Sequence, residues 1–154
     1  MKQAAGCYLR RGREVLLGLK KGGFGAGYFV GIGGQLEGDE TAGQAVVREI
    51  REEVGAQVAP EDVVCLGSII FLFPAIREWD LHMTLFQAEH WQGEIIESKE
   101  IKPAWFRLDE IPYEQMWEDA RYWLPHLLDG IRLQARIIYQ ADNVTVEEVL
   151  LKLT

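Results

Sequence analysis

The stretch from Thr41 to Gly55 carries a full set of instructions for one helix. Thr41-x-x-Gln44 has the reciprocal pattern of a capping box, and Gly55 can take the left-handed conformation that closes a helix C-terminus. Between these ends Val46, Val47, Ile50 and Val54 recur at helical spacing, leaving one apolar stripe to bury. A helix so specified must lie against another layer, and the rest of the chain reads mainly as strands. Glu14–Lys20, Tyr28–Ile32 and Val63–Phe73 are strand candidates, the last rich in β-branched and aromatic residues. Asp80–His90 follows as its antiparallel partner. Leu133–Tyr139 and Val144–Leu150 close the chain around the turn-like Ala141-Asp142-Asn143.

A second helix is expected over Tyr113–Leu128, with Met116, Trp117, Ala120, Trp123, Leu124, Leu127 and Leu128 on its apolar side. Pro125 should kink or restart it, because proline lacks the N–H that the helix needs. The expected fold is α+β, an α/β/α sandwich with a mixed, mostly antiparallel sheet and two main helices. There is no linker or repeat, so residues 1–154 form a single domain.

Sixteen Lys and Arg against 24 Asp and Glu give a net charge of −8. A module that binds nucleic acid through its phosphates would need the opposite balance. No apolar run approaches the ~18 residues of a membrane span, and the N-terminus lacks the apolar stretch of a signal peptide. Cys7 and Cys65 lie in apolar sequence and read as two buried thiols. The expected setting is the cytoplasm, with a small molecule as partner, no nucleic acid or membrane, and a monomeric chain, an oligomer being left open.

Glu49, Glu52 and Glu53 stand at i, i+3 and i+4 on the first helix, within a sector roughly 100° wide beside the apolar stripe. Taken alone, they read most simply as a solvated acidic face. Convergent carboxylates also suit a hard cation such as Mg²⁺ or Mn²⁺, which prefers oxygen ligands. Such a cation would let an acidic protein bind a polyphosphate.

The wider spacing bears on that choice. Gly34, five residues, Glu40, seven residues, then Arg48-Glu49-Ile50-Arg51-Glu52-Glu53-Val54-Gly55 resembles the Nudix box, with Ala56 where a larger aliphatic residue is usual. The resemblance implies that Glu49, Glu52 and Glu53 bind metal, that one of them polarises the attacking water, and that Gly34 offers a backbone carbonyl from a loop. It also implies a structural ion pair between Glu40 and Arg48.

Beyond the box, Lys20–Gly27, Glu97–Phe106, Met116–Asp119 and Tyr122-Trp123 are similar to the animal-type oxidised-purine nucleoside triphosphatases. That branch implies hydrolysis of substrates such as 8-oxo-dGTP to the monophosphate and pyrophosphate. It implies Lys20 at the phosphates, Glu100 near the metal, and Phe24, Phe71, Phe73, Trp117, Asp119 and Trp123 around the base. Asp119 beside Trp117 offers a carboxyl and a stacking face to a purine. Three positions depart from the branch: Val30 and Ala120 stand where it has polar base readers, and Trp79 replaces a slimmer residue. Two other readings stay open: a Nudix hydrolase of dinucleoside polyphosphates or ADP-ribose-like diphosphates, and a catalytically silent nucleotide sensor.

Overall fold

The computed structural model describes all 154 residues. Nine strands and two helices follow in the order β1 (Lys2–Arg11), β2 (Glu14–Lys20), β3 (Phe29–Val30), β4 (Ile32–Gln35), α1 (Ala42–Val54), β5 (Val64–Leu72), β6 (Leu81–Ala88), β7 (Ile101–Arg107), α2 (Ala120–Leu128), β8 (Leu133–Tyr139) and β9 (Val146–Leu153). The strands run β3-β2-β1-β6-β5-β8-β9, with β4 beside β1 and β7 beside β2. Pairing is antiparallel except between β1 and β6 and between β5 and β8. No helix is long and apolar enough to cross a membrane.

Alternation along the strands feeds two cores. Ala5, Cys7 and Leu9 of β1 and Leu16 of β2 join Val46, Ile50 and Val54 of α1 on one face. Tyr8, Val15 and Leu17 point the other way, into a core with Trp123, Leu124 and Leu127 of α2. The helices therefore cover opposite faces, which gives the expected α/β/α sandwich. α1 has the expected ends: Gln44 N–H donates to Thr41 Oγ1 at 3.2 Å, Thr41 N–H donates to Gln44 Oε1 at 3.0 Å, and Gly55 sits at φ 77°.

Several expectations need correction. β1 lies at the centre of the sheet, yet its Ala- and Gly-containing sequence has little strand signal because both faces are covered. β7 contains Pro103, a residue that argues against an inner strand; β7 pairs only with β2, so the missing N–H costs no ladder bond. The single strand expected over Tyr28–Ile32 is two, because the chain passes from pairing with β2 to pairing with β1 at Gly31. A β-carbon there would stand 2.7 Å from the Tyr8 ring.

The second helix starts at Ala120, not Tyr113. Tyr113–Gln115 is one 3₁₀ turn, and Met116 is extended at φ −122°, ψ 165°. Pro125 lies inside the helix without ending it. Cys7 is buried, but Cys65 is exposed, so only one of the two thiols is interior. Both align with Phe86 from opposite sides of β6, a separation of about 9–10 Å that no disulfide spans.

Candidate active site

The segment from Ile32 to Val54 folds as β4, a short loop and α1, which lay the helix across the glycine pair of β4. Gly33 and Gly34 lie within β4 opposite Gly6 and Ala5 of β1, so they belong to a strand rather than to the expected loop. Their lack of side chains has two separate uses. A β-carbon on Gly33 would fall 1.9 Å from the Ala5 carbonyl oxygen, and one on Gly34 would fall 2.7 Å from Glu49 Oε1. Gly33 thus permits strand pairing, while Gly34 lets a helix carboxylate rest on the strand backbone.

Arg48 organises the acidic residues. It donates Nε to Glu40 Oε2 at 2.7 Å and Nη2 to Glu40 Oε1 at 2.9 Å, a two-pronged contact that ties the loop to α1. Its Nη1 reaches Glu49 Oε1 at 2.8 Å and Glu52 Oε2 at 3.2 Å, and Nη2 also donates to the Gln35 carbonyl at 3.2 Å. The guanidinium bonds hold the Glu40 carboxyl down at about 2, against an ordinary 4.5, with the Glu37 N–H helping. These contacts place Glu40 and Arg48 as the sequence pattern implies.

The three glutamates are not equivalent. Glu52 is 54% exposed on the outer side of the helix. Glu53 is only 7% exposed, because position 53 follows Val46 and Ile50 along the buried stripe. Its Oε2 is buried without a hydrogen-bond partner. Burial pushes the Glu53 carboxyl well above the ordinary range; Glu49 and the charge of Glu100 push it the same way, and only the Gly33 N–H opposes them.

This arrangement fits a hard divalent cation in donor type and charge. A buried, unpartnered carboxylate oxygen beside a second carboxylate is costly, and a cation would offset that cost. The fit rests on Glu49 and Glu53: no three acidic, histidine or cysteine side chains converge into a ligand cluster as they stand. Glu52 turns to Arg48, and Glu100 is exposed at the start of β7.

Lys20 ends β2 opposite Ile101, next in sequence to Glu100, and makes no ion pair. Its neighbour Lys21 is committed: its ammonium pairs with Glu97 and donates to the Ser98 carbonyl at 2.7 Å.

A cluster of rings stands at the glycine-rich loop after β2. Phe24 stacks on Trp117 with centroids 5.2 Å apart and meets Trp79 edge-on at 4.7 Å. Phe73 contacts Trp79 at 5.5 Å and Trp117 at 6.3 Å, and Tyr28 lies 4.9 Å from Trp117. Phe24 is 46% exposed, so the cluster opens to solvent. Gly25, at φ 84°, passes 3.2 Å from Trp117 Nε1 where a β-carbon would be. Phe71 packs against the α2-side core and Trp123 is buried in it, edge-on to Tyr8 at 6.1 Å, so neither joins the ring cluster.

Asp119 lies behind the rings and is 4% exposed. Its Oδ2 accepts from Trp123 Nε1 at 2.7 Å, and its Oδ1 accepts from the Tyr139 hydroxyl. Tyr139 in turn stacks on Phe73 at 4.8 Å and meets Trp117 edge-on at 6.0 Å. The carboxyl expected to face a base edge is thus engaged within the protein, and although Asp119 precedes α2 it makes no capping bond. Burial raises its affinity for a proton, against the pull of the Trp123 and Tyr139 bonds. Sequence reasoning missed Tyr139 and Tyr28. Tyr139 was within reach of it, since it continues the inward alternation of Leu133, Ala135 and Ile137. Val30 and Ala120 supply no polar group: Val30 packs beside the α1-side core and Ala120 is buried at the start of α2.

The NUDIX domain profile matches residues 1–127. The chain is 42% identical over 138 residues to the oxidized purine nucleoside triphosphate hydrolase of Danio rerio, covering 89% of this chain and 86% of that protein. It is 43% identical over 132 residues to the protein of the same description from Mus musculus, covering 85% and 82%. Among solved structures, a MutT protein from Bacillus halodurans superposes with a TM-score of 0.85 over 99% of this chain and 98% of that one, at 24% identity.

Proposed function

The chain belongs to the Nudix hydrolase family, and from that premise we propose that it hydrolyses oxidised purine nucleoside triphosphates, such as 8-oxo-dGTP, to the monophosphate and pyrophosphate. The observation that carries the chemistry is the Glu49–Glu53 pair, Glu49 resting on Gly34 and Glu53 facing the Gly33 N–H, with an unpartnered oxygen buried on Glu53. The likeness to the zebrafish and mouse hydrolases over most of their length supports the substrate class.

In this reading Gly34, Glu49, Glu52, Glu53 and Glu100 form the metal site, and Mg²⁺, or Mn²⁺ in its place, is the cofactor. A bound divalent ion would neutralise charge on the phosphates and lower the pKa of a coordinated water. The protein's own part is to orient the carboxylates. Arg48 holds Glu49 and Glu52 from one side, and Glu40 holds Arg48. Glu53, deep in the site and with its proton affinity raised by burial, is the residue suited to take a proton from the attacking water. Lys20, free of any ion pair and next to Glu100 across the β2–β7 edge, is placed to meet the phosphates as a point charge.

The base would lie among Phe24, Tyr28, Phe73, Trp79 and Trp117. Flat rings bind any purine face, and nothing polar stands at Val30 or Ala120 to discriminate between edges. Recognition by stacking, with broad tolerance among purines, follows. The test is a panel of 8-oxo-dGTP, 2-oxo-dATP, dGTP, dATP, a dinucleoside polyphosphate and ADP-ribose with Mg²⁺, scored by product. Pyrophosphate released from the oxidised triphosphates supports the reading. Turnover confined to ADP-ribose or the dinucleoside polyphosphate would replace it.

A further inference from the structure

The sheet ends at β9, which pairs with β8 alone; at its start the Val146 N–H donates to Glu118 Oε1 at 3.0 Å, and the edge beyond that point is open. Its register with β8 shifts at a bulge between Val146 and Glu148, but from Glu148 to Leu153 the strand is regular and contains no proline, although folded proteins usually shorten, bulge or cover such an edge. Its register with β8 shows which backbone groups face outward. Thr154 N–H donates to the Arg132 carbonyl at 2.9 Å, and Lys152, Leu150 and Glu148 lie opposite Gln134, Arg136 and Ile138. Hydrogen-bonded pairs alternate with non-bonded pairs, so these even-numbered residues spend their N–H and C=O groups on β8. Val149, Leu151 and Leu153 turn theirs away from the sheet.

The side chains divide in the same way. Val149 and Leu151 pack against the α2-side core, while Glu148, Leu150 and Lys152 share the opposite face. Leu150 is 51% exposed there, and neither Glu148 nor Lys152 forms an ion pair within the chain.

We propose that two copies of this chain join β9 to β9, antiparallel, about a two-fold axis at Leu150. Pairing through the outward groups requires odd residues to face odd residues, so the axis can fall on Val149, Leu150 or Leu151. Centred on Leu150, Val149 exchanges hydrogen bonds with Leu151 of the second copy. Glu148 then lies directly opposite Lys152 of that copy, and symmetry repeats the pair on the other side of a Leu150–Leu150 contact. These are the close, non-hydrogen-bonded positions, with Cα atoms about 4.5 Å apart. The two neighbouring centres set Leu150 opposite Glu148 or opposite Lys152, burying charge against an apolar side chain. Charge complementarity therefore selects one register, and the result is a closed, self-complementary interface. The Nudix-box carboxylates lie on α1 over β4 and β1, away from β9, so dimerisation leaves them accessible.

Sedimentation velocity over a wide concentration range tests the proposal, with Glu148→Lys, Lys152→Glu, the double swap Glu148→Lys/Lys152→Glu, and Leu150→Lys, each checked for folding by circular dichroism. The parent should reach twice the protomer mass. Each single swap sets like charges opposite one another twice over and should weaken association by roughly tenfold or more. The double swap should restore it, Leu150→Lys should abolish it, and nucleotide hydrolysis should be unchanged in all four. A parent that stays monomeric throughout, its edge lysine serving only to keep neighbours away, would overturn the proposal. A folded double swap that fails to regain the dimer would overturn it too.

Discussion

Arg48 grips Glu40 through two parallel hydrogen bonds, at 2.7 and 2.9 Å, while its remaining nitrogen holds Glu49 at 2.8 Å. One guanidinium thus joins the loop before α1 to a carboxylate of the site. Because this contact lowers the Glu40 pKa from 4.5 to about 2, the native state binds the proton less tightly than the unfolded chain does. The stabilisation is complete above pH ~4.5 and is lost as the pH falls through ~2. Glu40→Gln should lower the melting temperature at neutral pH and flatten the acid limb of the stability curve over that window. Thermal melts from pH 7 to pH 2 on parent and mutant measure both effects. Parallel curves would separate the ion pair from stability.

Gly34 provides a geometric test. Gly34→Ala places a methyl 2.7 Å from Glu49 Oε1, well inside van der Waals contact, so the carboxylate must move. The backbone conformation at Gly34 is open to any residue, since its φ is not positive. Turnover should fall by about tenfold or more while the melting temperature changes little, because misplaced catalytic groups cost rate steeply. Unchanged kcat would mean that Glu49 need not rest on the strand.

Asp119 anchors the back of the ring cluster. Asp119→Ala strands the Trp123 Nε1–H and the Tyr139 hydroxyl in the interior, at ~1–3 kcal/mol for each, so a loss of roughly 2–6 kcal/mol is expected from denaturant titration. Tyr139→Phe removes one donor and should cost less than half of that. Asp119→Asn keeps an acceptor for Trp123, and its effect on the ratio of kcat/KM between oxidised and unmodified purines reports whether the carboxyl reads the base as well. A loss below about 0.5 kcal/mol for Asp119→Ala would contradict the buried network.

Lys20→Ala should raise KM for every nucleoside triphosphate by a similar factor, whatever its base, because an ammonium on phosphate carries no base information. Steady-state kinetics on dGTP, dATP and their oxidised forms test this, and base-dependent losses would move Lys20 to another role.

What was legible from sequence were the features with strong local rules. Thr41, Gln44 and Gly55 fixed α1, and the Nudix spacing placed Glu40, Arg48, Glu49 and Glu53 together. The unequal burial of the glutamates was less visible, since it depends on the angle at which α1 meets β4. It still left a trace, for Glu53 completes the series begun by Val46 and Ile50. β1 and the division at Gly31 were hidden because sheet pairing, not local preference, defines them. At Met116 and Trp117 helical periodicity misled: Met116 is extended and a turn, closed by the Ala120 N–H on the Trp117 carbonyl, precedes α2, yet both side chains reach the same core. Trp123 and Phe71 read as pocket walls because aromatic residues serve cores and pockets alike, and only the packing separates the two.

The proposed hydrolytic centre is Glu49, resting on Gly34, together with Glu53, which faces the Gly33 N–H. Glu53→Gln keeps the side chain's size but removes its charge and its capacity to take a proton, so it tests that claim most directly. With saturating Mg²⁺ and 8-oxo-dGTP, the account predicts that kcat falls by at least about two orders of magnitude. The melting temperature should hold or rise, because the cost of burying an ionisable carboxyl, beside Glu49 and Glu100, is removed. A folded Glu53→Gln variant that turns over within threefold of the parent would contradict the account.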